Sequence, residues 1–127
     1  MRLSNKDRSF LSVAKFLATK SSQKNMHGAL VVKSGRVVGM GWNRHRNDPN
    51  FISEEHIKEH ATYHAEQVAI RDAGDNVVGA TIYVARVNRH GEDRNSKPCP
   101  LCEFMLANAG IKKIIYTTEG VTQDVRN

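Results

Sequence analysis

The sequence predicts an α/β fold of three layers, with helices on both faces of a mixed sheet of four to five strands. Three patterns carry this prediction. A segment near the start has helical periodicity, two short apolar runs are split by a turn, and two later helix signals are each followed by a strand signal across a short connection. Short connections of this kind favour parallel crossovers.

The elements follow in chain order. Ser4 and Asp7 have the spacing of a capping box, and Phe10, Val13, Ala14 and Leu17 recur at i, i+3, i+4 and i+7, which predicts a helix over about 5–20 that buries this stripe. Ala29-Leu30-Val31-Val32 and Val37-Val38-Gly39-Met40 flank Lys33-Ser34-Gly35-Arg36 and read as a hairpin. Residues 47–60 are polar and irregular in prospect, with room for a helical turn over 54–60. A helix over 63–72 carries His64 and Glu66 in its first turn, packs through Val68, Ala69 and Ile70, and stops near Gly74. Thr81–Val87 is a strand, and 88–97 is a polar, charged loop. The next helix spans 99–108, with Pro100 tolerated in its first turn and Gly110 just past its end, and 113–117 returns as a strand.

At 127 residues and 39% hydrophobic, the chain is long enough for one domain with a core and too short for two, so residues 1–127 are expected to form a single domain. No apolar run approaches the roughly 20 residues of a membrane span, and the first residues are too polar for a secretory signal. A membrane partner is therefore not expected. Two cysteines make no disulfide framework, which suits a reducing cytoplasm. The formal charge of +6 and pI near 9.6 point to an anionic partner without separating a nucleotide phosphate from a polynucleotide. Arg44, His45 and Arg46 in one stretch, and Arg86, Arg89, His90, Arg94 and Lys97 in another, are expected to border the pocket. A solvated basic surface is the alternative.

Chemistry is concentrated in His64-Ala65-Glu66 and Pro98-Cys99-Pro100-Leu101-Cys102. One His and two Cys supply three zinc ligands; catalytic zinc uses three protein ligands and keeps a position for water, whereas structural zinc closes all four. The C-x-x-C spacing lets both thiolates reach one ion from a single helical turn. Glu66 lies two residues beyond His64, near enough to act on metal-bound water without ligating. Zinc brings the pKa of such water towards neutrality, and a carboxylate can take its proton and deliver it to a leaving group. Both segments fall at helix N-termini, where backbone N–H groups and the dipole favour thiolate over thiol. Two other readings stay open. A C-x-x-C can be a redox pair, for which His-x-Glu is not needed. A structural zinc site could be completed by His27, His45, His56, His60 or His90, leaving Glu66 without a task.

H-x-E followed by P-C-x-x-C is the pattern of zinc nucleobase deaminases. Over about residues 4–117 the chain resembles the cytidine and deoxycytidylate deaminase superfamily, which includes the tRNA adenosine deaminases. The resemblance implies a cytidine-deaminase-like sandwich, Zn2+ held by His64, Cys99 and Cys102, and Glu66 as proton shuttle. It implies that Ala65 meets the base through its backbone, that Asn43 contacts the sugar and base side of the substrate, and that His27 walls the base pocket. The backbone N–H of Cys99 and the carbonyl near Lys97 are implied partners at the reacting centre. Taken as residues alone, Asn43 could instead cap a turn and His27 could be a half-buried residue at a strand start. The implied reaction is hydrolytic attack at the ring carbon bearing the exocyclic amine, C4 of cytosine or C6 of adenine, with loss of ammonia. A homo-oligomer is expected, as in relatives.

Two departures bear on the substrate. The loop over 88–96 is longer than usual before Pro-Cys, and Lys97 stands where Glu, Ser or Thr is common; ten residues follow Thr117, so the last strand and helix of longer relatives are expected to be absent or reduced. The first reading is a deaminase of cytosine in a free nucleoside or nucleotide, such as cytidine or dCMP. The second acts on cytosine or adenine within single-stranded DNA or RNA, including tRNA adenosine, because Gly41-Trp42-Asn43-Arg44 and Asp48-Pro49 resemble that branch. Strand binding needs stacking platforms, for which Trp42, Phe51 and Tyr63 are the few candidates, and this favours the small substrate. The third is a catalytically silent relative that binds nucleic acid through its basic face and uses zinc only to hold the fold.

Overall fold

A computed structural model of the chain describes residues 3–23, 25–45, 62–119 and 125–126. The predicted segment 47–60 lies outside them. Helix α1 (Asn5–Ala18) starts as predicted, with Ser4 extended as N-cap and its Oγ accepting the Asp7 N–H at 3.0 Å. The Asp7 carboxylate does not turn back to the cap; it accepts the Tyr83 hydroxyl at 2.6 Å and ties the helix to the sheet.

The buried face of α1 is rotated from the predicted stripe. Leu11, Ala14, Leu17 and Ala18 are buried, Phe10 is half-buried against the Tyr83 ring, and Val13 is 39% exposed. The reason lies on the strand beneath. A Cβ at Gly28 would collide with the Ala14 carbonyl and lie 2.5 Å from the Ala18 nitrogen, so the helix sits at backbone contact over Gly28 and turns its small residues inward.

Strands β1 (Met26–Lys33) and β2 (Arg36–Trp42) form the predicted hairpin and extend beyond both apolar runs, with Lys33 opposite Arg36 and Gly28 opposite Trp42. Ser34 and Gly35 have φ of 52° and 77°, the positive pair that a two-residue hairpin turn requires. The sheet order is β2-β1-β5-β7-β8, adding β5 (Thr81–Val87), β7 (Lys113–Tyr116) and β8 (Val125–Arg126). β1 is antiparallel to β2 and β5, β5 is parallel to β7, and β7 is antiparallel to β8. Because β2 and β5 both oppose β1 they run the same way, so both motif helices lie in the parallel crossovers predicted for them. A sixth, short strand exceeds the predicted count: within the loop expected over 88–97, Asp93–Arg94 pairs with Val87 and Arg86 of β5. The loop folds back because Asn88 N–H donates to the Glu92 carbonyl at 3.0 Å and Gly91 N–H to the Asn88 carbonyl at 2.9 Å.

Strand alternation divides the core. Leu30 and Val32 face α1 with Leu11, Leu17, Tyr83 and Ile115, while Ala29 and Val31 face the opposite layer with Ala69, Ile82, Val84 and Leu106. That opposite layer holds α2 (Ala65–Ala73) and α3 (Pro100–Ala109). α2 begins later than predicted. His64 is its extended N-cap, held by its N–H donating to Gln67 Oε1 at 2.8 Å, and Tyr63 belongs to a two-residue ribbon of β3 (Arg44–His45) and β4 (Thr62–Tyr63). α3 is capped by Cys99, has Pro100 in its first turn, and ends at Gly110 with φ of 99°. Among the described residues no helix is long and apolar enough to cross a membrane.

Candidate active site

The N-termini of α2 and α3 converge. His64 caps one helix, Cys99 caps the other, and Cys102 lies one turn into α3. His64 Nδ1 is 3.1 Å from Cys102 Sγ and 4.0 Å from Cys99 Sγ, and the three donor atoms fall within 4.8 Å of one another. A tetrahedral zinc ion with bonds of about 2.0–2.3 Å needs ligand separations of roughly 3.5–3.8 Å; the three donors bracket that range, so small side-chain rotations bring them to one ion. Donor chemistry gives the same answer. Burial, with Glu66 and Cys99 alongside, pushes the Cys102 thiol well above its ordinary range, and a coordinated divalent cation is what makes such a thiol a thiolate. Cys102 N–H also points at Cys99 Sγ at 3.5 Å. Among the described residues His27 and His90 do not join the group, while the His45 side chain, His56 and His60 lie outside them.

Glu66 sits in the first turn of α2, 4% exposed. Burial pushes its carboxyl up to about 7, with its own backbone N–H pulling the other way. Such a group gains and loses a proton near neutral pH.

The donors open onto a cleft of about 270 Å³, just under the roughly 300–1,000 Å³ of ordinary ligand pockets and suited to a small ring system. It is lined by Asn25, His27 and Asn43 from the β1–β2 side, by His64, Ala65 and Glu66 from the start of α2, and by Ser96, Lys97 and Cys99 from the segment leading into α3. The structure thus brings His27, Asn43, His64, Ala65, Glu66 and Cys99 to one cleft, with Cys102 buried in the adjoining donor set. Asn43 is a clamp: Oδ1 accepts the His27 N–H at 2.9 Å and Nδ2 donates to the Asn25 carbonyl at 2.6 Å, which fixes the start of β1. Burial, then the Arg86 charge, holds the His27 pKa down to about 4, so its imidazole is neutral at neutral pH.

Asn25 is absent from the sequence reading and Ser96 enters it only as the end of a long loop, whereas Lys97 is expected there to border the pocket and does so. Ser96 is the centre of a buried knot. Its Oγ donates to the Val84 carbonyl at 2.9 Å and accepts the Thr117 N–H at 2.8 Å, while Thr117 Oγ1 donates to the Arg94 carbonyl at 2.7 Å. No local pattern marks such a serine; only its place just ahead of Pro-Cys hints at it.

The expected border of basic residues is corrected. Lys97 lines the cleft, but Arg44 lines a separate cavity of about 480 Å³ with Met40, Trp42, Val68, Arg71 and Asp72. On an extended chain, residues 40, 42 and 44 face one way and Asn43 the other. Trp42 is consequently no platform for the cleft, and it takes Lys20 Nζ over its ring at 5.7 Å. Arg94 bonds its neighbours Asp93 and Glu92. Arg46, Phe51 and the Tyr63 side chain lie outside the described residues.

The family described as the cytidine and deoxycytidylate deaminase zinc-binding region matches residues 4–118. The chain is 28% identical over 122 residues to the riboflavin biosynthesis protein RibD of Aquifex aeolicus, covering 88% of this chain and 28% of the relative. It is 30% identical over 94 residues to the tRNA-specific adenosine deaminase of Buchnera aphidicola, covering 70% of this chain and 49% of the relative. The chain spans less than half the length of either. The crystal structure of dCMP deaminase from the cyanophage S-TIM5 in apo form has the same fold, with a TM-score of 0.68 at 24% identity over 93% of this chain and 87% of that one. With a match over nearly its full length and a His–Cys–Cys set at two converging helix caps, the chain belongs to the zinc-binding cytidine and deoxycytidylate deaminase family.

Proposed function

We propose that this chain is a zinc-dependent hydrolytic deaminase, with residues 1–127 as its single domain, that converts the cytosine of a free nucleoside or nucleotide such as cytidine or dCMP to uracil and ammonia. The observation that carries the proposal is the meeting, in one small cleft, of a three-donor metal set and the buried carboxyl of Glu66. Cleft size supports a single free ring, and Lys97 supplies a cation for an anionic substituent on the sugar. The cyanophage S-TIM5 dCMP deaminase, solved with dCMP and dUMP, has a TM-score of 0.67 to this chain.

His64 Nδ1, Cys99 Sγ and Cys102 Sγ are the atoms to hold Zn2+, which when bound supplies Lewis acidity that makes water a nucleophile at neutral pH. Glu66, as carboxylate, takes a proton from the attacking water and, as carboxylic acid, returns protons to the base and the departing amine. Ala65 has no side chain beyond Cβ, so its backbone can meet the edge of the base. His27 walls the ring as a neutral imidazole, and Asn43 keeps that wall in place from the sugar and base side of the substrate. Atoms balance: one water enters, the C–N bond breaks, and ammonia leaves with a ring carbonyl behind it.

A second reading is a different amino-pyrimidine carried by a free nucleotide. Similarity to the riboflavin biosynthesis proteins RibD favours it, Escherichia coli RibD being 31% identical over 94 residues and 72% of this chain. Deamination within a single strand has less support, because Trp42 serves another cavity. The deciding experiment is ammonia release by zinc-loaded protein across cytosine, cytidine, deoxycytidine, CMP, dCMP, adenosine, amino-pyrimidine nucleotides and single-stranded oligonucleotides, with Glu66→Ala as the blank. Turnover of a monomeric cytosine substrate is expected, and Glu66→Ala should keep one zinc per chain and the parent melting curve while losing about 10²–10⁴-fold in kcat or more. Turnover confined to oligonucleotides would overturn the substrate class, and activity surviving the substitution would overturn the proton shuttle. The active form is proposed to be a cytoplasmic homo-oligomer, a setting that keeps both ligand thiols reduced; full activity in a sedimenting monomer would remove the oligomer.

A further inference from the structure

We propose that Arg86 is a positioning residue for this reaction, bracing the two side walls of the cleft at a fixed separation without touching the substrate. The inference rests on the reading of the cleft proposed above. Arg86 does not line the cleft. It lies on β5 between His27 of β1 and Arg94 of the short strand Asp93–Arg94. Its guanidinium spans from a lining residue on one side to the chain just ahead of Ser96 and Lys97 on the other, with Nη2 donating to Asn25 Oδ1 at 2.9 Å and Nη1 to the Asn95 carbonyl at 3.4 Å.

Each end continues into the lining. On one side the Asn25 carbonyl accepts from Asn43, which in turn accepts the His27 N–H, so Asn25, Asn43 and His27 move as a unit. On the other, Asn95 Oδ1 accepts the Lys97 N–H at 3.2 Å, next to Ser96 in its buried knot. Arg86 is itself anchored, its N–H donating to Thr117 Oγ1 at 3.1 Å. A planar fork with five donors can span two acceptors in fixed geometry, whereas an ammonium is a single point of charge. The Arg86 charge has a further effect on the same wall, since with burial it keeps the His27 imidazole neutral. The other titratable groups facing His27 are Glu66, His64, Cys99 and Lys97 around the cleft.

The test uses Arg86→Met and Arg86→Lys in the zinc-loaded full chain. Loosened walls weaken ground state and transition state alike, so both variants should raise KM for the accepted monomer about tenfold while kcat changes by less than about threefold, with one zinc per chain retained. Amide hydrogen exchange at His27 and Lys97 should quicken in both, with the β5 core amides unchanged. By NMR, the His27 titration midpoint should rise in Arg86→Met and stay low in Arg86→Lys, which keeps the charge. Unchanged KM and unchanged exchange at Lys97 would overturn the brace, as would exchange quickening uniformly across the sheet or a fall in kcat at constant KM. If Arg86→Met fails to fold, Arg86→Lys decides alone. If the parent protein releases no ammonia from any substrate, the functional reading fails, and exchange at His27 and Lys97 still decides the brace.

Discussion

The two motif helices bring their ligands to the same ion by opposite means. α2 is seated by shape: Gly39 and Gly41 of β2 present bare backbone, and a Cβ at Gly41 would lie 2.7 Å from the Ala69 nitrogen and 2.8 Å from the Ala65 carbonyl. The helix rests on the strand along its length, and His64 is placed because the helix is placed. α3 buries only Cys102 and Leu106 and leaves Phe104 66% exposed. Its N-terminus is set by the segment leading into it, through the Ser96 and Thr117 knot. A metal site needs fixed helix ends, and an end can be fixed by the helix's own packing or by its lead-in loop.

Three substitutions would break or sharpen that contrast. Gly41→Val should do most damage, since neither the strand nor the helix backbone can yield; a loss of about 3 kcal/mol or more in urea denaturation is expected, together with impaired zinc retention. Near-parent stability would show that α2 is not seated by close approach. Ser96→Ala strips the Thr117 N–H of its serine acceptor and should cost about 1–3 kcal/mol. Hydrogen exchange should quicken at Lys97 and the first turn of α3 while α2 stays protected. Equal quickening in α2 would merge the two modes into one. Phe104→Ser should shift stability by no more than about 0.5 kcal/mol, as for an ordinary surface site. A loss above about 1 kcal/mol in a melting scan would mean that the outer face of α3 packs against something after all.

Much of this was legible from local pattern. β5 reads true to its bounds, Thr81–Val87, because its buried run is continuous and set off from a charged loop. Ser34-Gly35 announces the hairpin, and the ligand set is legible because its chemistry is written in two short motifs. Failures share a cause, which is that the deciding atom sits elsewhere in the chain. Phe10 and Val13 lose the inner face of α1 to Leu11 and Ala18 because Gly28 on the neighbouring strand dictates the seat. Asp93–Arg94 is a strand of two residues, too short to leave a side-chain period to read. Arg44 faces away from the cleft because it follows Asn43 on an extended segment, where neighbours point apart. Ser96 owes its place to Thr117, a partner 21 residues onward.

That last pairing sets an order of events. Ser96 gains its full set of partners only once Thr117, just past β7, has docked beside β5, and β7 reaches β5 only after the α3 crossover closes. Non-local closure of this kind is slow, and a chain made from its N-terminus offers its early elements first. The hairpin, α1 and α2 can therefore assemble with His64 already presented, while Cys99 and Cys102 wait for β7. The metal site is complete only when that segment is in place, and a chain stalled before Thr117 would expose two unclaimed thiols to oxidation.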